Sequence, residues 1–244
     1  MRVKLVRLRF GDMEREAAVR KASDMADVIV DKEWLRANMD AELYYMFRDL
    51  WRAEDRETIV RNRLRYDITI IPPRRMGIEF VKTQGHYHPE CCPGLTYPEI
   101  YEVQEGRAHY LLQRKEGDRI VDVVLVEARA GDKVIIPPNY GHVTINPSGE
   151  ALRMANWVSS AFTSLYQEFN SMGGAAYFEL VDGRFVRNQR YGEVPELRRV
   201  EPAEVPELGI VHGRDMYELI KNPESLDFLN NPGRYVGIFE RCLR

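Results

Sequence analysis

The chain has 244 residues and a formal net charge of −3, with 44% hydrophobic and 30% charged residues. This composition predicts a globular protein that can bury a core, in one large domain or two small ones. No strongly basic surface is implied, so nucleic acid is not an expected partner. No apolar run approaches the roughly 20 residues that cross a membrane, and Met1–Arg7 lacks the apolar core of a signal peptide. We therefore expect no membrane partner and a cytoplasmic location.

The first segment with a clear pattern runs from Ala26 to Arg52. Its start has the polarity of a first helical turn, and Leu43, Met46 and Phe47 then recur at helix-like spacing. The pattern predicts a helix that belongs to an N-terminal arm, residues 1–65, packed on the following domain.

From Tyr66 the sequence breaks into short β-branched and aromatic runs that turn residues separate. The predicted strands lie at residues 66–71, 79–83, 99–103, 108–112, 121–126, 133–136, 143–145 and 152–158. Short strands at such regular spacing predict an antiparallel sandwich or barrel over residues 66–186. Its last part, residues 176–186, is a predicted hairpin around Asp182-Gly183.

Residues 187–244 form a predicted C-terminal extension. Its first part, residues 187–208, is rich in proline and charge and reads as an irregular segment. Short helices are predicted at residues 216–221 and 224–229, because proline and asparagine residues interrupt the pattern on either side. We expect the arm, the barrel and the extension to form a single structural domain.

Three of the five histidines fall into one pattern of candidate metal ligands. Residues two apart in a strand project to the same face, so His86 and His88 would point together into a barrel. Glu99 opens the next long predicted strand, and His142 follows a turn after a later one. Three imidazoles and one carboxylate suit one divalent transition metal: Fe(II) as the first candidate, or Mn(II), Ni(II), Zn(II) or Co(II).

Other residues near this pattern are alternative ligands. Glu90 lies in the loop before Glu99, whereas Glu102 is an odd step along the strand and would face away from it. Cys91 and Cys92 are adjacent and belong to an odd total of three cysteines, which does not suggest a disulfide framework. Cys91 and Cys92 therefore remain alternative sulfur ligands for the metal.

The spacing of these residues resembles the two motifs of the cupin superfamily. Gly-His-x-His is followed by Glu99 and, after six residues, by Gly106; later Gly131, Pro137, Gly141-His142 and Asn146 recur at the motif spacing. The resemblance covers about residues 83–146. It implies an all-β-dominated fold, a double-stranded β-helix or jelly-roll barrel, with a helical N-terminal arm and a C-terminal extension.

Three longer segments narrow the resemblance. Thr83–His88, Glu99–Tyr101 and Pro137–Asn146 together look like the cupin-type phosphoglucose isomerases of archaea, with a match over about residues 25–170. This implies a metal-dependent homodimer that interconverts glucose 6-phosphate and fructose 6-phosphate in glycolysis and gluconeogenesis. Proton transfer through an enediolate is the expected route, with a hydride shift as the alternative.

The resemblance also implies roles for individual residues. The implied metal ligands are His86, His88, Glu99 and His142; the catalytic residues are Glu99 and Tyr101; the substrate-binding residues are Thr69, Thr83, Gly85, Tyr44 and Tyr166. Arg74 and Arg75 are available to hold a phosphate group. The alternatives are another sugar-phosphate isomerase, an iron dioxygenase that needs no phosphate site, and a non-catalytic sugar-binding cupin.

Overall fold

The computed structural model describes residues 6–244. The described strands are β1 (Arg7–Phe10), β2 (Met13–Glu16), β3 (Ala18–Lys21), β4 (Glu42–Phe47), β5 (Leu64–Ile71), β6 (Arg75–Met76), β7 (Glu79–Phe80), β8 (Glu90–Cys92), β9 (Leu95–Thr96), β10 (Glu99–Glu105), β11 (Arg107–Glu116), β12 (Arg119–Arg129), β13 (Lys133–Ile136), β14 (Tyr140–Ile145), β15 (Leu152–Ser159), β16 (Tyr177–Glu179), β17 (Phe185–Arg187) and β18 (Arg198–Val200). The expectation that residues 1–7 are not a signal peptide concerns mainly residues 1–5, which lie outside the described residues.

Helices are short. The α-helices are α1 (Lys32–Ala37), α2 (Arg56–Arg61), α3 (Gln167–Ser171) and α4 (Val236–Cys242). The 3-10 helices are Ala22–Met25, Ala53–Asp55, Gln189–Tyr191, Pro206–Leu208, Met216–Lys221, Pro223–Leu229 and Pro232–Arg234. Within residues 6–244, no helix is both long enough and apolar enough to cross a membrane.

Two sheets face each other and carry the fold. The larger sheet has the order β13-β10-β15-β5-β4-β3, and its paired strands are antiparallel. The smaller has the order β14-β11-β12-β18, in which β18 alone joins its neighbour in parallel. The predicted strand-dominated cupin fold is confirmed.

The main core fills the space between the sheets. Tyr101 and Met154 enter it from the larger sheet, and Tyr110, Leu112 and Val126 enter it from the smaller one. Alternate residues of a strand share a face, which is why Tyr110 and Leu112 point inward together. The inner face of the larger sheet extends beyond this core and lines an open cavity.

The C-terminal extension covers the outer face of the larger sheet. The Tyr217 ring stacks on Trp157 with 5.6 Å between ring centroids, and the Trp157 indole N–H donates a 3.0 Å hydrogen bond to the Met216 carbonyl. On the same face, Glu102 and Lys133 form a buried ion pair of 3.0 Å. Because the larger sheet is buried on both faces, several of its strands are apolar on both sides.

Residues 169–177 cover the outer face of the smaller sheet. Phe169 and Ala176 pack there in one cluster with Val123 and Val143. The predicted hairpin around Asp182-Gly183 is confirmed, since β16 and β17 pair antiparallel on either side of it. The two short helices predicted in the extension are confirmed as 3-10 helices, Met216–Lys221 and Pro223–Leu229.

The predicted helix from Ala26 to Arg52 is wrong in its second half. Only α1 is an α-helix there, and β4 follows it. Tyr44 and Met46 pack in the core between the sheets, whereas Tyr45 and Phe47 pack in the cluster on the outer face. A strand buried on both faces is a continuous apolar run, which periodicity cannot distinguish from a buried helix. The division of the chain at residues 65 and 186 stays a prediction.

Candidate metal centre

The two histidine motifs meet through a backbone bridge. His86 N–H donates to the His142 carbonyl (3.2 Å), and His142 N–H donates to the His86 carbonyl (3.1 Å). His142 belongs to β14 of the smaller sheet, and Glu99 is the first residue of β10 in the larger sheet. The bridge therefore brings ligands from both sheets to the same end of the barrel.

The four predicted ligands converge. One candidate ligand atom from each of His86, His88, Glu99 and His142 lies within 4.8 Å of all the others. Glu99 Oε2 is 3.4 Å from Nε2 of both His88 and His142, and the Nε2 atoms of His86 and His88 are 3.2 Å apart. Such convergence of nitrogen and oxygen donors is a geometry that one divalent cation can hold together.

Hydrogen bonds outside the cluster orient two of the ligands. His88 Nδ1 lies 2.8 Å from the Tyr97 carbonyl, which can only accept, so Nδ1 carries the proton and Nε2 keeps its lone pair. The Asn156 amide donates to Glu99 Oε1 at 2.7 Å. Among the described residues, the buried Glu99 Oε2 has no hydrogen-bond partner, and neither does His142 Nδ1. An unpaired buried carboxylate oxygen is costly, so these residues fit a bound cation.

The protonation states also suit a metal site. Burial lowers the pKa of His142 to about 4, and burial together with the neighbouring imidazoles lowers the pKa of His86 well below its usual value. Burial alone would raise the pKa of Glu99, but interactions with the neighbouring His88 and His142 outweigh it and hold this pKa below the usual value. Neutral imidazole and ionised carboxylate are the forms that bind metals.

Asn156 gives a testable positioning role. We expect Asn156→Ala to lower metal affinity by about 10- to 100-fold, because partners of this kind hold ligands in place. Competition with a metal-sensitive dye would measure the affinity. Asn62→Ala, an amide outside the cavity, is the control. An unchanged affinity in a folded Asn156 variant would show that the hydrogen bond does not position Glu99.

The alternative carboxylates have other partners. Glu90 accepts a hydrogen bond from Gly94 N–H at 2.6 Å, and Glu102 pairs with Lys133 on the outer face of the sheet. Within the described part of the chain, the group of converging ligands includes neither of them. The odd step from Glu99 to Glu102 thus separates two chemically different environments.

Cys91 and Cys92 also lie outside the converging group of described residues. Burial and the neighbouring thiol raise the pKa of Cys91 to about 11, so it disfavours the thiolate form that binds metals. We expect the double variant Cys91→Ser/Cys92→Ser to keep one metal ion per chain, measured by inductively coupled plasma mass spectrometry. Loss of that metal from a folded variant would instead make the thiols ligands.

A cavity of about 400 Å³ opens beside the centre. His86, His88 and Glu99 lie on its wall. Tyr101 lines the same cavity. So does every residue predicted to bind substrate, namely Tyr44, Thr69, Thr83, Gly85 and Tyr166. Successive strands of the larger sheet supply several of these from positions that face inward.

The predicted substrate-binding residues have distinct local contacts. The Tyr44 hydroxyl accepts a 3.3 Å hydrogen bond from Gln84 N–H, and Thr83 Oγ1 accepts one of 2.9 Å from Thr144 N–H. Gly85 has φ of +81°, and a Cβ there would lie 2.6 Å from the Phe169 ring. This position therefore requires glycine.

Three arginines that the sequence patterns do not identify as site residues line the cavity wall: Arg20, Arg48 and Arg65. Arg74 and Arg75, which the sequence offered as phosphate-binding residues, do not line the cavity. With a strand assigned at β4, alternation from Tyr44 would have placed Arg48 on the inner face.

Two of these arginines share one buried carboxylate, that of Asp67, whose single negative charge cannot balance both positive charges. Asp67 lies 2.9 Å from both Arg48 and Arg65 and also accepts a hydrogen bond from Asp49 N–H. Together with Arg20, the wall has an excess of positive charge that favours an anionic ligand.

The chain is similar to known proteins of one enzyme family. Residues 19–196 match the family model described as "Glucose-6-phosphate isomerase (GPI)". The chain is 32% identical over 134 residues to the glucose-6-phosphate isomerase of Thermococcus gammatolerans, covering 54% of this chain and 64% of that one. It is 29% identical over 133 residues to that of Pyrococcus furiosus, covering 54% and 65%. The chain thus spans slightly less than two thirds of these relatives' length.

Among solved structures, the chain is similar to a variant of Bacillus subtilis oxalate decarboxylase, with 18% identity and a TM-score of 0.38. The matched region covers 53% of this chain and 30% of the decarboxylase chain. This similarity is too weak to bear on function.

Proposed function

This chain belongs to the glucose-6-phosphate isomerase family, and we propose that it interconverts glucose 6-phosphate and fructose 6-phosphate. The observation that carries the proposal is the meeting of two features in one cavity. Three of the four converging candidate ligands, His86, His88 and Glu99, lie on its wall, and so does an excess of arginine charge. A sugar phosphate needs both, because its carbonyl end reacts while its phosphate end is bound.

Glu99 is the proposed proton carrier. It accepts the proton from C2 of glucose 6-phosphate; the electrons of that C–H bond form the C1–C2 double bond of an enediolate, while the π electrons of the C1=O bond move to O1. Glu99 then returns the proton to C1, while the proton on O2 passes to O1. Its lowered pKa keeps the carboxylate ionised at neutral pH and ready to accept.

Tyr101 is the proposed hydrogen-bond donor to the substrate oxygens. Its hydroxyl lies 3.1 Å from His142 Nε2, at the edge of the ligand cluster. Burial, together with the nearby Glu99, raises the pKa of Tyr101 well above its usual value, so the phenol stays protonated. It can therefore hold the proton that moves between O1 and O2.

A divalent cation held by His86, His88, Glu99 and His142 would supply Lewis-acid stabilisation of the developing oxyanion. Fe(II) is the first candidate, and Mn(II), Ni(II), Zn(II) and Co(II) are the others, because imidazole and carboxylate accept all of them.

The test is metal-restored turnover. The protein is stripped with EDTA, and conversion of fructose 6-phosphate to glucose 6-phosphate is measured after each metal is restored singly. We expect activity to disappear on stripping and to return with at least one ion. A folded protein that binds one ion but turns over with none of them would contradict the isomerase. Oxygen uptake with a phosphate-free substrate would favour a dioxygenase.

We further propose a homodimer. The resemblance to a dimeric family supports it, and so does the general need to cover the edges of sheets, here the terminal strand β3 of the larger sheet. Light scattering coupled to size-exclusion chromatography would test it, since a mass near the 28.5 kDa of one chain would contradict it.

A further inference from the structure

Arg20 lies on β3, directly opposite Tyr44 on the neighbouring strand β4. Its guanidinium carbon is 6.0 Å from the centroid of the Tyr44 ring and 5.8 Å from that of Tyr166. Both rings line the cavity. Cation–π contacts at these distances hold a guanidinium in place without neutralising it.

Arg20 differs from the other two arginines of the wall in its charge balance. Arg48 and Arg65 share Asp67. Among residues 6–244, no carboxylate lies within ion-pair distance of Arg20, whose guanidinium contacts the Tyr44 and Tyr166 rings, and its buried Nε has no hydrogen-bond partner. A buried N–H donor without a partner is costly, and the cost falls when an anion accepts its hydrogen bond.

Tyr166 connects Arg20 with the ligand cluster. Its ring centroid is 5.3 Å from that of His86, while its other neighbour is the Arg20 guanidinium at 5.8 Å. One aromatic ring therefore separates the cation from the ligands. A six-carbon sugar that places C1 and C2 at the ligands can extend its far end past this ring.

We propose that Arg20 is the cationic anchor for the phosphate group of the substrate. This inference rests on the proposed function and adds to it the residue that selects phosphorylated over unphosphorylated sugars. Guanidinium presents paired N–H donors that match two phosphate oxygens. Its free Nε supplies one such donor, and the ring contacts with Tyr44 and Tyr166 hold the group in the cavity wall.

The test measures binding of a ligand that cannot turn over. Sorbitol 6-phosphate lacks the carbonyl group, and sorbitol additionally lacks the phosphate. Their affinities for the metal-loaded protein are measured by calorimetry in the native chain and in Arg20→Gln, Arg20→Lys and Arg36→Ala. Arg36 is exposed on α1 and serves as the matched control for loss of one positive charge.

We expect Arg20→Gln to weaken sorbitol 6-phosphate binding by about 10- to 100-fold, as is typical for a hydrogen bond to a charged group. Sorbitol binding should not change, and Arg36→Ala should bind as the native chain does. In turnover, Arg20→Gln should raise KM far more than it lowers kcat. Added salt should weaken phosphate binding less in Arg20→Gln than in the native chain.

Native affinity for sorbitol 6-phosphate in folded Arg20→Gln would overturn the assignment. If that variant does not fold, Arg20→Lys decides, because lysine keeps the charge but lacks the planar pair of donors. We expect it to bind at least about 5-fold more weakly, and unchanged binding would overturn the assignment. Since these ligands do not react, a protein without isomerase activity can still show the Arg20 effect. Conversely, turnover with unchanged phosphate affinity would support the isomerase alone.

Discussion

His142→Ala is expected to lower kcat/KM for fructose 6-phosphate by on the order of a thousandfold and to release the metal ion. The substitution removes an imidazole whose Nε2 lies 3.4 Å from Glu99 Oε2 and 3.1 Å from the Tyr101 hydroxyl. It therefore removes a proposed metal ligand together with the partner of the proposed catalytic residue Tyr101. His88→Ala should act similarly, because its oriented Nε2 faces the same carboxylate. Turnover assays and metal analysis measure both effects.

His212→Ala is the matched control for these variants. His212 is exposed and pairs with Asp132 at 2.8 Å, away from the cavity. We expect it to keep the metal and the native kcat/KM. A His142→Ala protein that retains both stoichiometric metal and native turnover would contradict the ligand assignment.

Glu99→Gln is expected to lower kcat by about a thousandfold or more while the protein stays folded, because an amide cannot accept the C2 proton. The amide oxygen can still accept the hydrogen bond from Asn156, so the side chain should keep its orientation. Glu90→Gln, in the short strand β8 before β10, is the control and should retain native activity. A Glu99→Gln variant with native kcat would exclude this carboxylate as the proton carrier.

Turnover in deuterium oxide separates the two routes for the hydrogen. In proton transfer through Glu99, the carboxyl proton can exchange with solvent before it returns to carbon, so solvent deuterium should enter the product; a hydride shift predicts that the substrate hydrogen is fully retained. Mass spectrometry of glucose 6-phosphate formed by the native protein would measure this. Full retention of the substrate hydrogen would contradict the enediolate route.

The convergence of the four candidate ligands and most strands of the barrel can be predicted from local sequence patterns. His86, His88, Glu99 and His142 were identified from local spacing, and spacing of two along an extended segment already implies a shared direction. The strands after Tyr66 were predicted because turn residues separate short β-branched runs. These signals depend on residues that are close together in the sequence, so they can be recognised without knowledge of the fold.

The contribution of the segment before Tyr66 depends on packing between residues that are far apart in the sequence. The apolar spacing of Leu43, Met46 and Phe47 satisfies a helix, yet burial on both faces makes this segment the strand β4. The same change places Arg48 and Tyr44 on the cavity wall and brings Arg20 opposite Tyr44. Strand pairing across the sheet is a long-range interaction, and no short stretch of sequence encodes which charges it will leave unpaired.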